Sequence, residues 1–155
     1  MPPASKSNPS IQAEPPEATV PDAASRPCPQ VRVLIVNYCS AALTIDCLRS
    51  LQVNWPAKVC FRATVVDGGS GDDSVAVLRG AIEREAWSEW VRLLPLDRNG
   101  GFAFGNNAGI RATLAETASP DFIMLLNPDT IVRPGTIERL ATFLAEHPQV
   151  GIVGA

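Results

Sequence analysis

Four short stretches of this 155-residue chain combine chemically capable side chains with glycines that let a ligand come close. Asn37 and Tyr38 end an apolar run. Asp67 precedes Gly68, Gly69 and Ser70, Asn99 precedes Gly100 and Gly101, and Asn127 and Asp129 flank Pro128. A carboxylate in a glycine-rich turn, as at Asp67, can accept a hydrogen bond from a base N–H or a ribose hydroxyl. It can equally cap the turn that follows, and for Asp67 taken alone both readings stay open. Residues 99–109 hold four glycines and three asparagines. Glycine admits positive φ and close backbone approach. An asparagine amide both donates and accepts, which suits sugar and nucleotide hydroxyls. A turn followed by a closely packed helix would need the same glycines. Asp129 is the sharpest single candidate, because an acid placed there can hold Mg2+ or Mn2+ against diphosphate oxygens. Such a cation neutralises the charge that develops on a departing nucleoside diphosphate. The competing reading makes Asp129 the start of a type I turn beside Pro128.

Other chemistries find little support. His147 is the only histidine, which argues against a histidine-based metal site and a Ser/His/Asp triad. Neither G-x-G-x-x-G nor G-x-x-x-x-G-K-[ST] occurs, so a dinucleotide fold of the dehydrogenase kind and a phosphate loop are disfavoured. The cysteines, Cys28, Cys39, Cys47 and Cys60, match neither a C-x-x-C redox pair nor a zinc ribbon. They are expected to be reduced, small hydrophobes of a cytosolic protein. Trp87 and Trp90 read as packing residues, His147 as a helix C-terminus, and Arg92, Arg98 and Arg111 as solvated surface.

The elements that must position these residues alternate. Val31–Val36 and Val59–Val66 are apolar, β-branched runs typical of buried strands. Val91–Leu96, Phe122–Leu126 and Val150–Val153 are three further expected strands. Between them the pattern predicts helices: one capped by Ser40 with Leu43, Cys47, Leu48 and Leu51 buried, and one capped by Asp72 or Asp73 with Val75, Leu78 and Ile82 buried. A third is expected from Gly105 to Thr117, and a fourth with Pro134 in its first turn, reaching Glu146. Such alternation implies a doubly wound parallel sheet. Every polar cluster follows an apolar run, which puts all four at the carboxyl ends of the strands, where such sheets bind ligands.

Residues 1–30 hold eight of the fourteen prolines, no glycine and no aromatic residue. They are expected to form a disordered tail, with one domain over residues 31–155. The net charge of −3 and pI near 5.1 argue against nucleic acid as a partner. No apolar run reaches the roughly 18–20 residues of a membrane helix, and the first thirty residues lack the pattern of a signal peptide.

The combination of VLIVNY at 33–38, VVDGGSGD at 65–72, NGGFAFGNNAGI at 99–110 and FIMLLNPDTIVRPGTIERL at 122–140 resembles the family 2 glycosyltransferases of the GT-A fold, in particular their rhamnosyltransferase-like branch. The resemblance implies a Rossmann-like, mostly parallel sheet with flanking helices. It also implies inverting transfer from a dTDP-, UDP- or GDP-sugar to a glycan or lipid-linked acceptor, with Mg2+ or Mn2+ as cofactor. Asn37, Tyr38, Asp67, Ser70, Asn99, Gly101, Phe102, Asn106 and Asn127 would bind the nucleotide sugar, Asp67 recognising the base. Asn127 and Asp129 would be this branch's Asp-x-Asp motif, with Asp129 the metal ligand. Gly68 and Cys39 depart from the family, which usually has Asn at both places; each change removes an amide from the nucleotide edge. The resemblance further implies a chain twice as long, whose second half carries the general base and acceptor pocket. This sequence is therefore expected to be the N-terminal half only. The alternative is a non-catalytic nucleotide-sugar-binding half-domain that pairs with another chain supplying the rest, and the unfinished sheet would also allow self-association. A cytoplasmic location is expected, with the inner face of the cell membrane as an open alternative.

Overall fold

The computed structural model describes residues 28–155, so the expected tail lies outside the described residues as far as residue 27. Four strands and four helices alternate: β1 (Gln30–Asn37), α1 (Ala41–Val53), β2 (Cys60–Asp67), α2 (Ser74–Arg84), β3 (Val91–Pro95), α3 (Phe102–Leu114), β4 (Phe122–Leu126) and α4 (Thr136–Glu146). All strand pairs are parallel, in the order β3-β2-β1-β4. The chain winds outward from β1 to β3, then crosses back to lay β4 on the other side of β1. That reversal makes a topological switch point between β1 and β4, the place where open α/β sheets bind ligands.

The central strands β1 and β2 are apolar because both their faces are covered. Val33 and Ile35 belong to the core shared with Cys47, Leu48 and Leu51 of α1 and Leu78 of α2. Leu34 and Val36, one residue out of phase, point to the opposite face and meet α3. There Gly105 and Gly109 form a flat strip: a Cβ at Gly105 would lie 2.8 Å from Val36 and one at Gly109 3.1 Å from Val66. These two glycines serve helix-to-sheet packing. They let α3 bring its N-terminus close to the end of β1.

Local structure departs from the sequence reading at several points. The buried arc of α1 centres on Thr44, Leu48 and Leu51, which leaves Leu43 half exposed. In α2, Leu78 and Ile82 are buried while Val75 is only partly so. Helix α3 starts at Phe102 rather than Gly105, because Gly101 (φ 85°) makes the break and its carbonyl accepts from Gly105 N (3.1 Å). Pro134 lies outside α4, since Gly135 in the left-handed region (φ 76°) separates it from the first helical residue. The strand expected at Val150–Val153 does not form. That segment makes only a turn bond from Val150 N to His147 O (2.8 Å), and residues 151–155 run beside β4 and α4 without a ladder.

The largest correction concerns the cysteines. Cys28 and Cys60 form a disulfide, against the expectation that all four are reduced. Register explains it: Gln30 pairs with Cys60, so the residues just before β1 lie against the start of β2, and Cys60 N donates to Pro29 O (2.9 Å). The ordered region therefore reaches back into the stretch assigned to the tail. The bridge closes a separation of 32 residues, for which chain entropy predicts about 4 kcal/mol. Reductant is expected to lower the thermal midpoint by about 10 °C and to leave Cys60→Ser unmoved. A midpoint insensitive to reductant would count against the bridge.

Trp87 is fully buried and Trp90 packs against Trp55 and Phe61, as their packing role requires. His147 sits at the C-cap of α4. Among the described residues, no helix is long and apolar enough to cross a membrane.

Candidate functional site at the carboxyl rim of the sheet

Asn37 and Asp67 are register partners at the last rungs of β1 and β2, and both are buried, at 0% and 1% exposure. The Asn37 amide donates to Asp67 Oδ1 (2.7 Å). Ser70 adds two donors to the same carboxylate, its backbone N–H to Oδ2 (3.0 Å) and its hydroxyl to Oδ1 (2.6 Å). On its other side, Asn37 Oδ1 accepts from Thr44 Oγ1 (2.9 Å) and Ser40 Oγ (3.1 Å). Ser40 thus stands at the N-cap position of α1 without capping it; its hydroxyl serves Asn37 instead. A buried carboxylate with three donors is compensated, and here the donors shape the loop. Asp67 holds residues 68–70 in place, so what that loop offers a ligand is its surface, with Tyr38 half exposed beside it.

Glycine is required in that loop. Gly69 has φ 72°, and a Cβ there would lie 2.6 Å from the backbone of Arg98. Gly68 N donates to Asn37 O (2.8 Å), and a Cβ at Gly68 would lie 3.3 Å from that oxygen. An Asn at this position, as the resemblance implies, would be tight here. Cys39, at φ 50°, keeps polar contacts where an amide is expected: its N–H donates to Ser70 Oγ (2.9 Å) and its thiol to Ser70 O (3.3 Å). Nearby, Asp72 accepts from Ser74 N (2.9 Å), and hydrogen bonds from Ser74 hold its carboxyl below the usual range.

The loop after β3 runs along the same rim. Asn99 Oδ1 accepts from Gly101 N (2.8 Å), which shapes the entry into α3. Phe102 is exposed at the start of that helix. Asn106 is buried instead, its amide donating to Phe102 O (3.0 Å) and its Oδ1 without a partner among the described residues. Arg98 stacks over Phe104 (4.9 Å), and that ring fills the space a Cβ at Gly100 would take.

Ile35 pairs with Leu126, so Asn127 and Asp129 continue β4 on the rim that Asn37 and Asp67 close. One strand separates β4 from β2, which puts the two acidic stretches about 10 Å apart, two spacings of a sheet. Both Asn127 and Asp129 are exposed. The main chain of Asn127 accepts from the Cys47 thiol (3.8 Å), which burial first and the Asp129 charge second push up to about 12. Among the described residues no group of three His, Cys, Asp or Glu side chains is gathered for a metal ion. Fewer than three such side chains fit a cation that takes its other oxygens from a bound phosphate and water, the habit of Mg2+ at phosphate sites.

The sequence-predicted residues thus share one rim but not one role. Tyr38, Phe102, Asn127 and Asp129 face solvent, while Asn37, Asp67 and Asn106 are buried supports. Sequence reasoning missed Thr44, whose signal was its place four residues after Ser40, one helical turn on.

Comparison with known proteins agrees with this architecture. The chain is similar to TagX of Staphylococcus aureus (strain MRSA252), a protein named as a glycosyltransferase, at 26% identity over 121 residues, covering 77% of this chain and 32% of that one. Among solved structures it resembles the mannosyltransferase PcManGT from Pyrobaculum calidifontis in complex with GDP-Man and Mn2+ (TM-score 0.63, 21% identity, 76% of this chain and 33% of that one). It also resembles S. aureus TarS 1-349 in complex with UDP-GlcNAc (TM-score 0.61, 22% identity, 77% of this chain and 32% of that one). The chain spans about a third of these relatives, less than the half anticipated from its motifs. The fold is that of the GT-A glycosyltransferases. The model of the glycosyl transferase family 2 matches residues 23–155, and the chain belongs to that family.

Proposed function

We propose that this chain is the donor-binding part of an inverting glycosyltransferase of the rhamnosyltransferase-like branch, taking a dTDP-, UDP- or GDP-sugar. One observation carries the reading: all four polar clusters lie along the carboxyl rim, around the switch point between β1 and β4. The fold likeness to proteins solved with GDP-Man and with UDP-GlcNAc supports it.

In this reading the Asn37–Asp67–Ser70 unit holds the loop on which the base and ribose rest, and Tyr38 flanks them. The N-terminus of α3 turns its free N–H groups and partial positive charge toward the diphosphate. Asn127 and Asp129 flank the diphosphate from β4, Asp129 being the residue that would hold Mg2+ or Mn2+. When bound, that cation would offset the charge of the leaving nucleoside diphosphate. The general base that takes the proton of the acceptor hydroxyl, and the pocket for a glycan or lipid-linked acceptor, are assigned to residues outside this chain. A cytoplasmic location, with the inner face of the cell membrane as its alternative, belongs to the same proposal.

Calorimetric titration of UDP-, dTDP- and GDP-sugars into the chain with Mn2+ is the test. One of the three is expected to bind at a single, metal-dependent site. A folded sample that binds none would overturn the reading.

A second reading, a non-catalytic half-domain that pairs with another chain, is favoured by β4. Leu125 is half exposed on a strand, and among the described residues β4 pairs only with β1. Light scattering after size exclusion separates the two, since a clean monomer at micromolar concentration argues against self-association.

A further inference from the structure

At the opposite rim of the sheet, three arginines share one face. Arg32 of β1 is the direct register partner of Arg62 of β2, and Arg92 of β3 pairs with Thr64, two residues along from Arg62. All three therefore project toward the α3 side. Like charges directly opposite on neighbouring strands are unfavourable, so this arrangement calls for counter-charge. Among the described residues, Glu116 is the one carboxylate that lines the cleft with them. Glu116, just beyond α3, pairs with Arg32 and lies 3.6 Å from Arg92. Among the described residues Arg62 has no carboxylate partner.

Arg32 is more than nine-tenths buried, and its pKa is lowered, by burial first and in part by Arg62 and Arg92. The C-terminus of α3 adds only about half a negative charge. More than one positive charge is left uncompensated. The arginines and Glu116 line a cleft of about 670 Å3, with Thr117 also on its wall. Asp121, nearby, accepts from the backbone of Gln30 (2.7 Å) and is not part of the lining. Guanidinium groups in a fixed row suit the oxygens of phosphate groups, which they can bind in pairs.

We propose that this cleft is an anion site, separate from the carboxyl rim, in which Arg32, Arg62 and Arg92 hold the phosphate groups of a phosphorylated ligand. A soluble phosphate ester and an anionic lipid headgroup present the same chemistry. The proposal stands whatever donor the other rim takes.

The probe is inorganic pyrophosphate, titrated calorimetrically into the full chain in EDTA, so that no divalent cation can seat it at Asp129. In parallel, vesicles of phosphatidylcholine with and without phosphatidylglycerol are sedimented with the protein. The expected result is pyrophosphate binding that R62Q/R92Q weakens by at least about tenfold, from the charge-assisted hydrogen bonds lost, and that D129N leaves unchanged. Both arginines are exposed, and a circular-dichroism melt verifies that the double variant folds. Binding only to phosphatidylglycerol vesicles, lost in R62Q/R92Q, would support the site and name the lipid headgroup as its source. Binding equal in the double variant, or no binding to either probe, would overturn the proposal.

Discussion

Replacing Asn37 by alanine is expected to destabilise the chain by about 4 kcal/mol and to lower its thermal midpoint by more than about 10 °C. The reason lies in what the side chain leaves behind. Asn37 is fully buried and joins three elements: its amide reaches Asp67 of β2, and its carbonyl oxygen takes the hydroxyls of Ser40 and Thr44 at the start of α1. Alanine strands a buried carboxylate that loses one of three donors, and a buried threonine hydroxyl that loses its acceptor. An unsatisfied buried group costs more than the net worth of the bond it made. Ser70→Ala, at a partly buried position, removes the hydroxyl that donates to Asp67 and accepts from Cys39 N and, at 3.4 Å, from the Asn37 amide, and should cost about 1–2 kcal/mol. Thermal unfolding of both variants by circular dichroism gives the comparison. An Asn37→Ala midpoint within 2 or 3 degrees (roughly 1 kcal/mol) of the parent would mean that the network contributes little.

The second large effect is expected in binding, not stability. Asp129→Asn should weaken Mn2+-dependent binding of the nucleotide sugar by about 100-fold, near 3 kcal/mol. It should leave the midpoint within about 1 °C of the parent, because surface substitutions seldom exceed half a kcal/mol. Asp129 is exposed, and among the described residues no group of three His, Cys, Asp or Glu side chains is gathered for a cation. Removing its charge therefore removes the protein's main hold on the metal. Titration of the donor with Mn2+, and again in EDTA, separates the outcomes. If Asp129→Asn binds the donor as tightly as the parent in Mn2+, Asp129 is a turn residue and the metal, if any, is held elsewhere. Together the two variants divide the rim into supports and ligands. Asn37→Ala should lose stability and binding together, and Asp129→Asn binding alone.

Much of this division could not be seen in the sequence. Asp67 and Asp129 carried similar signals, an acid after an apolar run. Yet one is enclosed by Asn37 and Ser70 while the other stands in solvent. Enclosure depends on which strand lies alongside, and a strand-end acid on β2 has β1 beside it and α1 above. The glycines of the 99–109 stretch divide in the same way. Gly101 makes a helix start, whereas Gly105 and Gly109 clear space for Val36 and Val66.

The alternation of strand and helix, the positions of four of the strands to within two residues, and the placing of polar clusters after apolar runs can all be read from the order of residues. These are local properties, since the period of apolar residues and the glycines of turns act within a few residues of one another. Tertiary structure alone decided the order β3-β2-β1-β4 and its register. From that register follow the Asn37–Asp67 bond, the Cys28–Cys60 bridge and the row formed by Arg32, Arg62 and Arg92. Each joins residues about thirty positions apart or more. No periodicity encodes such pairs, because only the sideways packing of whole strands brings them within reach.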